Sequence, residues 1–346
     1  MPFKPCYKIT PQLLKNIKQV SVLNAKLNDK NFPQVVFARL EKTAREISTY
    51  ASTSIEGNPL PLTDVRRLLK NMPQNLRDSE REVLNYNKAL LQANAYIQTG
   101  QAPTLDFILA IHKTVETGLL DKFRLGRLRK EPVFVNDPKL RKTVYWPPDH
   151  QDVPKLLREL LDYAQSNFDE LDPLLLAGIF HKQFVIIHPF IDGNGRTARL
   201  VTKVLLALLG LNTFKLFSFE NYYNNNVTKY FSRVGTLGNY YTAVKTVDFT
   251  EWLEYFTDGI VDELLRISKE IQKISVNPQN ELKEQHQTIL KYIKQKGYIT
   301  DKIYAVLTKR AKASRHLDFQ KLTTLGFIVK QGNGKNSYYI LNDAVT

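Results

Sequence analysis

His188-Pro189-Phe190-Ile191-Asp192-Gly193-Asn194-Gly195-Arg196-Thr197-Ala198-Arg199 separates two helical runs. The run before it, Pro173 to Ile187, is apolar and reads as a buried helix. The run after it, from Gly195 or Arg196 through Leu209, stops at Gly210, a natural C-terminal cap. Gly193 and Gly195 allow close backbone approach and left-handed dihedrals. The free N–H groups opening the second helix then converge on one spot. The helix dipole adds positive potential there, which makes an anion cradle. Asp192 is a hard oxygen ligand beside it, suited to Mg2+ that already carries phosphate oxygens. Arg196 and Arg199 share a helix face and can hold phosphate oxygens in fork geometry. His188, at the loop entrance, can accept a proton from an attacking hydroxyl near neutral pH. A base, a metal ligand, an anion cradle and two cations are the parts of phosphoryl or nucleotidyl transfer. That chemistry runs on positioning and charge stabilisation.

The same residues resemble the signature of Fic-domain enzymes, H-x-F-x-[DE]-G-N-G-R-x-x-R. They meet it at His188, Phe190, Asp192, Gly193, Asn194, Gly195, Arg196 and Arg199. The resemblance extends from about Ser48 to Gly259. It implies a mainly α fold and transfer of AMP from ATP to a Ser, Thr or Tyr hydroxyl of a target protein, and of the enzyme itself. It also implies His188 as general base, Asp192 on Mg2+, and Gly193, Asn194 and Gly195 around the phosphates. Arg196 and Arg199 would bind the β and γ phosphates, and Phe190 would anchor the loop in the core. Transfer of another nucleotide or of phosphate, and removal of AMP from a modified target, stay open as alternatives. The intact Gly-Asn-Gly-Arg favours AMP transfer.

Ser52-Thr53-Ser54-Ile55-Glu56-Gly57-Asn58 closes a long amphipathic helix that reads from Phe32. Its hydroxyl-rich end has weak helix propensity, and Gly57 suits a C-cap. Glu56 lies on the wrong side of the helix dipole, which a cation opposite would repair. The segment resembles the inhibitory motif [ST]-x-x-x-E-[GN] of Fic proteins at Ser52, Glu56 and Gly57. That resemblance implies pairing of Glu56 with Arg199, which blocks productive γ-phosphate binding and keeps the resting enzyme largely off.

Val133-Phe134-Val135 and Thr143-Val144-Tyr145-Trp146 are short β-type runs around an Asn136-Asp137-Pro138 turn, and Pro147-Pro148 ends them. The pair resembles the β-hairpin flap over which Fic enzymes dock a target's backbone, with Val133, Phe134, Val135, Val144 and Tyr145 as docking residues. Tyr222, Asn226 and Tyr230 recur at helical spacing and resemble the helix lining the adenine pocket. There Asn226 would bond the base edge, and Tyr222 or Tyr230 would pack the ring. His181 reads as a core or supporting residue, since no further metal ligands accompany it.

The rest of the chain reads as helices, among them Leu62 to Leu69, Asp78 to Ile97, Leu105 to Glu116 with Thr104 as cap, Val153 to Ser166, Tyr222 to Val234 and Thr250 to Gln272. Ser275 to Asn280 reads as a linker. Beyond it, three helices and a terminal hairpin with a Gly332-Asn333-Gly334 turn make a winged-helix (α+β) pattern. The expected domains are 1–100, carrying the inhibitory motif; 101–275, the catalytic core; and 281–346, the winged helix. Lys302, Lys309, Arg310, Lys312, Arg315 and Lys321 make that last unit basic. DNA is therefore one partner to test through 281–346, and a second copy of the chain is another. A DNA-binding regulator with a Fic-like, ligand-sensing core is the alternative of another class.

With 346 residues, 43% hydrophobic and 24% charged, the composition is that of a globular protein. A net charge of +15 favours anionic partners such as ATP. The single cysteine, Cys6, excludes an intrachain disulfide and a cysteine-based metal site, which suits a cytoplasmic setting. Apolar runs such as Val204 to Leu209 fall far short of the ~20 residues of a membrane span.

Overall fold

The computed structural model describes residues 3–29, 34–71, 73, 75–137, 142–210, 214–275, 282–325, 327–332, 334 and 337–342. Residue 32 at the expected start of the long helix, residue 138 of the flap turn, residues 276–280 of the expected linker, and residue 333 of the terminal turn lie outside them. The fold is mainly helical, as expected. Packing groups the chain into two compact units, residues 1–28 with 45–266 and residues 29–44 with 267–346.

In the first unit the centre is α7 (Pro173–Ile187) against α8 (Asn194–Leu206). Pro173 opens α7 at the position where its missing N–H costs nothing, and the Asp172 side chain accepts from Leu174 N at 2.9 Å. From Leu174 to Ile187 nearly every residue is buried, because the helix is mostly apolar and its buried Lys182 is satisfied by the Arg233 and Gly235 carbonyls. Around this pair stand α4 (Asp78–Ile97), α5 (Leu105–Glu116) and α6 (Val153–Ser166), with α4 and α5 on α8 and α6 on α7. Thr104 caps α5 through Phe107 N at 3.2 Å, as its position predicts. Also present are α1 (Pro11–Asn28), α2 (Gln34–Ile55), α3 (Leu62–Asn71), α9 (Glu220–Asn224), α10 (Val227–Val234), α11 (Tyr240–Ala243) and α12 (Thr250–Ser275). Residues 45–55 of α2 and residues through 266 of α12 belong to the first unit.

Two elements differ from expectation. The stretch read as one helix from Tyr222 to Val234 breaks into α9 and α10. Asn226 leaves helical geometry and its Oδ1 accepts from Lys229 N at 3.0 Å, so a side-chain cap competes with continuation. The flap strand starts later than expected. Strand β1 (Val135–Asp137) pairs antiparallel with β2 (Lys142–Trp146), with a bulge between Val135 and Asn136. In this register Val133 would face Pro147, which has no N–H to donate, so Val133 and Phe134 precede the ladder. A third strand, β3 (Gly238–Asn239), runs parallel on the other side of β2. Two residues carry too little pattern to be read as a strand.

The second unit holds α13 (Glu284–Lys296), α14 (Asp301–Leu307), α15 (Lys312–Thr324) and the antiparallel hairpin β4 (Ile328–Gln331) and β5 (Tyr338–Leu341). Its core joins Ala38 to Ile289, Ile293, Ile299, Tyr304, Phe319, Leu322, Phe327 and Ile328. Two of its arginines are held by carboxylates: Arg310 Nε is 2.7 Å from Asp318 Oδ2, and Arg315 Nε is 2.8 Å from Asp301 Oδ1. Among the described residues no helix is long and apolar enough to cross a membrane.

Candidate active site

His188 caps α7 with φ 50°, the one left-handed residue other than glycine among those described. A residue with a Cβ takes that conformation only when its surroundings enforce it. Arg129 does so. Its Nε donates to the His188 carbonyl at 2.8 Å, its backbone N–H to the Pro189 carbonyl at 3.0 Å, and its Nη2 to the Pro148 carbonyl just past the flap. The imidazole Nδ1 lies 3.3 Å from the Val185 carbonyl, so it carries the proton and leaves Nε2 as the acceptor. Burial lowers the His188 pKa to about 4, which keeps the ring neutral at physiological pH.

The loop rests on His112. This ring stacks on Phe190 at 3.7 Å between centroids, takes a hydrogen bond from Gly126 N at 3.1 Å on Nδ1, and donates from Nε2 to the Asp192 carbonyl at 3.2 Å. Asn194 closes the loop from inside. Its Oδ1 accepts from Phe190 N and its Nδ2 donates to Phe190 O, both at 2.9 Å. The Asn194 side chain is thereby turned away from the cradle, so its backbone alone can serve a phosphate. Asp192 stays exposed, with Oδ1 accepting from Gly193 N at 2.5 Å and lying 3.2 Å from Arg196 Nη2. Among the described residues no group of three or more His, Cys, Asp or Glu could hold a metal ion.

Helix α8 opens at Asn194, with Gly193 at φ 72° before it. Space over its first turn is taken. A Cβ on Gly195 would lie 2.1 Å from Glu56 Oε1, so the carboxylate sits directly over that glycine. Glu56 Oε1 also meets Arg199 Nη2 at 2.7 Å. The hydroxyl-rich end of α2 supplies the rest of the Arg199 shell: Ser52 Oγ accepts from Nε at 2.7 Å and Ser52 O from Nη2 at 2.8 Å. Gly57, at φ 94°, makes the turn that presents Glu56. Arg199 is fully buried, and Glu56 occupies both its guanidinium and the first turn of α8.

Arg196 is held by three carboxylates: Glu82 at 2.7 Å, Glu116 at 3.0 Å and Asp192 at 3.2 Å. Glu116 is wholly buried, against Gly193, where an added Cβ would meet its Oε1 at 2.3 Å. Burial raises its pKa to about 7, with Arg196 opposing the rise.

The expected adenine-side residues separate. Tyr230 is in the core, 1% exposed. Its hydroxyl meets His181 Nε2 at 3.0 Å and Arg199 Nη1 at 3.4 Å, and its ring stacks on Tyr223. With no open ring face it cannot pack a base; it supports Arg199 instead. His181 continues that chain to Thr202 Oγ1 at 3.0 Å, the supporting role expected of it. Tyr222 is half-buried against Tyr255, and Asn226 is exposed with its Oδ1 used as a cap. On the flap, Phe134 is exposed, Val133, Val135 and Val144 are half-buried, and Tyr145 is buried with its hydroxyl on the Ile186 carbonyl at 2.9 Å. Tyr145 therefore anchors the flap to α7.

Residues 102–206 match the Fic/DOC family. A protein adenylyltransferase Fic from Nematostella vectensis is 35% identical over 166 residues, 46% of this chain and 37% of that protein. One from Drosophila willistoni is 32% identical over 176 residues, 50% of this chain and 34% of its own length. The chain thus spans about a third of the length of these curated relatives. A crystal structure of a Fic family protein from Desulfovibrio desulfuricans G20 shares the fold over 99% of both chains, at TM-score 0.64 and 21% identity. Fic-1 (aa134–508) from C. elegans does so over 76% of this chain and 73% of its own, at TM-score 0.57 and 22% identity.

The span matched to the Fic family runs from α5 to the end of α8 and holds the flap, Arg129 and the whole loop. Ser52, Glu56, Glu82 and Tyr230 reach this site from outside that span. Sequence reasoning missed His112, Glu116, Glu82 and Arg129. One signal was present: His112 and Glu116 lie on the apolar face of α5 with Ile108, Ile111 and Val115, where a polar residue needs a reason.

Proposed function

We propose that this protein transfers AMP from ATP to a Ser, Thr or Tyr hydroxyl of a protein target, itself included, and that the conformation described here is the inhibited one. The observation that carries the reading is the position of Glu56. An anionic side chain lies over the N-terminal turn of α8 and on Arg199, where the sequence calls for an anionic polyphosphate. A site that binds a carboxylate there is built for anions.

In the active state Glu56 leaves, and Arg196, Arg199 and the α8 N-terminus receive the phosphates. The target hydroxyl oxygen attacks the α-phosphorus, and the bond from that phosphorus to pyrophosphate breaks. The hydroxyl proton passes to His188 Nε2, which the Nδ1 contact leaves free to accept it. Asp192 suits a divalent cation such as Mg2+, because a lone exposed carboxylate fits an ion that takes its other ligands from water and phosphate. Such an ion would neutralise phosphate charge. Among the described residues the outer edge of β1 carries no strand, so it is the side of the flap open to a target strand, since β3 covers the other edge of β2. Tyr222 and Asn226 are the adenine-side residues. A DNA-binding role gains little from the second unit, where Asp318 and Asp301 already hold Arg310 and Arg315.

Self-labelling with labelled ATP tests this. Glu56→Gly is expected to raise it well above wild type. His188→Ala in the Glu56→Gly background is expected to lower it by about 10²–10⁴-fold, the usual worth of a general base. Equal labelling with and without His188 would overturn the mechanism.

A further inference from the structure

Asn58 stands two residues beyond Glu56, and its side chain is bound to another helix. Nδ2 donates to the Ser79 carbonyl at 2.9 Å and to Glu82 Oε2 at 2.6 Å, and Oδ1 accepts from Leu60 N at 3.1 Å. Its own N–H returns to the Thr53 carbonyl at 3.1 Å, as does that of Glu56, and so shuts the turn that presents Glu56. The other oxygen of Glu82 lies 2.7 Å from Arg196 Nη1. One carboxylate on α4 therefore joins the inhibitory turn to an arginine on α8. The turn has two holds on α8 that share no side chain: Glu56 on Arg199, and Asn58 through Glu82 on Arg196.

We propose that Glu82 is a positioning residue that couples the inhibitory turn to the occupancy of Arg196. Arg196 fixes the Glu82 carboxylate where it meets Asn58. When a phosphate draws Arg196 away, the half-buried Glu82 side chain regains rotamers and water. Asn58 then loses its charged acceptor, and the turn carrying Glu56 loosens. ATP arriving at Arg196 thereby weakens the hold of Glu56 on Arg199. This rests on the reading of Glu56 as the inhibitor, but its primary test does not use activity.

Hydrogen exchange on the full chain reads the amides of Glu56, Gly57 and Asn58. Asn58→Ala, the isosteric Glu82→Gln, and Arg196→Gln are each expected to speed that exchange by about tenfold, the effect of losing one hydrogen bond to a charged group. Arg196→Gln and Glu82→Gln together are decisive, because the contact of Arg196 with the turn runs through Glu82 while its charge also acts on Glu56. If Asn58→Ala speeds exchange but Arg196→Gln and Glu82→Gln leave it at the wild-type rate, the coupling is overturned. In self-labelling, Glu82→Gln and Asn58→Ala are expected to exceed wild type and fall below Glu56→Gly. Faster exchange in all three variants, with Glu56→Gly labelling no more than wild type, would support the coupling and overturn inhibition by Glu56.

Discussion

His112 and Glu116 are one helical turn apart on α5, and burial moves their pKa values in opposite senses. Both nitrogens of His112 are committed in its neutral form, and burial lowers its pKa to about 4. The unfolded chain takes up that proton near pH 6.5, so the His112 contribution is complete above that value. It drains away as the pH falls from about 6.5 toward 4. Burial raises Glu116 to about 7, so the folded state favours its neutral acid. The contribution of Glu116 is complete below about pH 4.5 and is lost as the pH rises through 7. His112→Gln is therefore expected to flatten the acid limb of the stability profile, and Glu116→Gln the limb between about pH 5 and 8. Each change amounts to about 3 kcal/mol at most. Thermal melts at about pH 4.5, 6 and 8 check both; parallel profiles for wild type and variants would refute the assignment.

At the scale of elements, the loop, the flap and the segment after α5 are tied by one guanidinium. Arg129 bonds the carbonyls of His188, Glu131 and Pro148 and, among the described residues, pairs with no carboxylate. Replacing it with Met in the Glu56→Gly background is expected to let His188 relax from its left-handed conformation. Labelling should fall by about a hundredfold, the usual consequence of displacing a reacting group by an ångström. Lys should restore part of it, and a melting temperature near that of the parent separates misplacement from unfolding. Nothing in the sequence announces this clamp, because Arg129 works through backbone carbonyls that every residue owns. The helices were legible where periodicity was clear: α4, α5, α6 and α7 have the bounds their patterns predict. The His188 to Arg199 loop was legible because its parts are contiguous. Glu82, Glu116 and the core placement of Tyr230 were not, since each depends on partners far along the chain. The i,i+4 spacing of Tyr222, Asn226 and Tyr230 did not place the three on one helix. It presumes an unbroken helix, and the helix breaks at Asn226 itself.

The whole chain is not partitioned as its sequence order suggests. The second unit takes residues 29–44 from near the N-terminus and 267–346 from the other end. Ala38, on α2, is 5% exposed within the same core as Ile289, Phe319 and Ile328. The three helices and hairpin after residue 281 therefore do not complete a core by themselves. A fragment of residues 282–346 would also be about 65 residues long, in the range where a single core is marginal even when whole. We expect that fragment to melt broadly, with weak amide protection. The same residues in the full chain should be protected through α13 and α15, whose Ile289, Ile293 and Phe319 line the core. Hydrogen exchange on both samples checks this, and equal protection would show that the segment from the N-terminal side contributes nothing. The outcome decides how a partner of this unit must be sought. If the fragment is loose, a negative gel shift with it says nothing about the protein, and salt-dependent DNA binding has to be measured on the full chain.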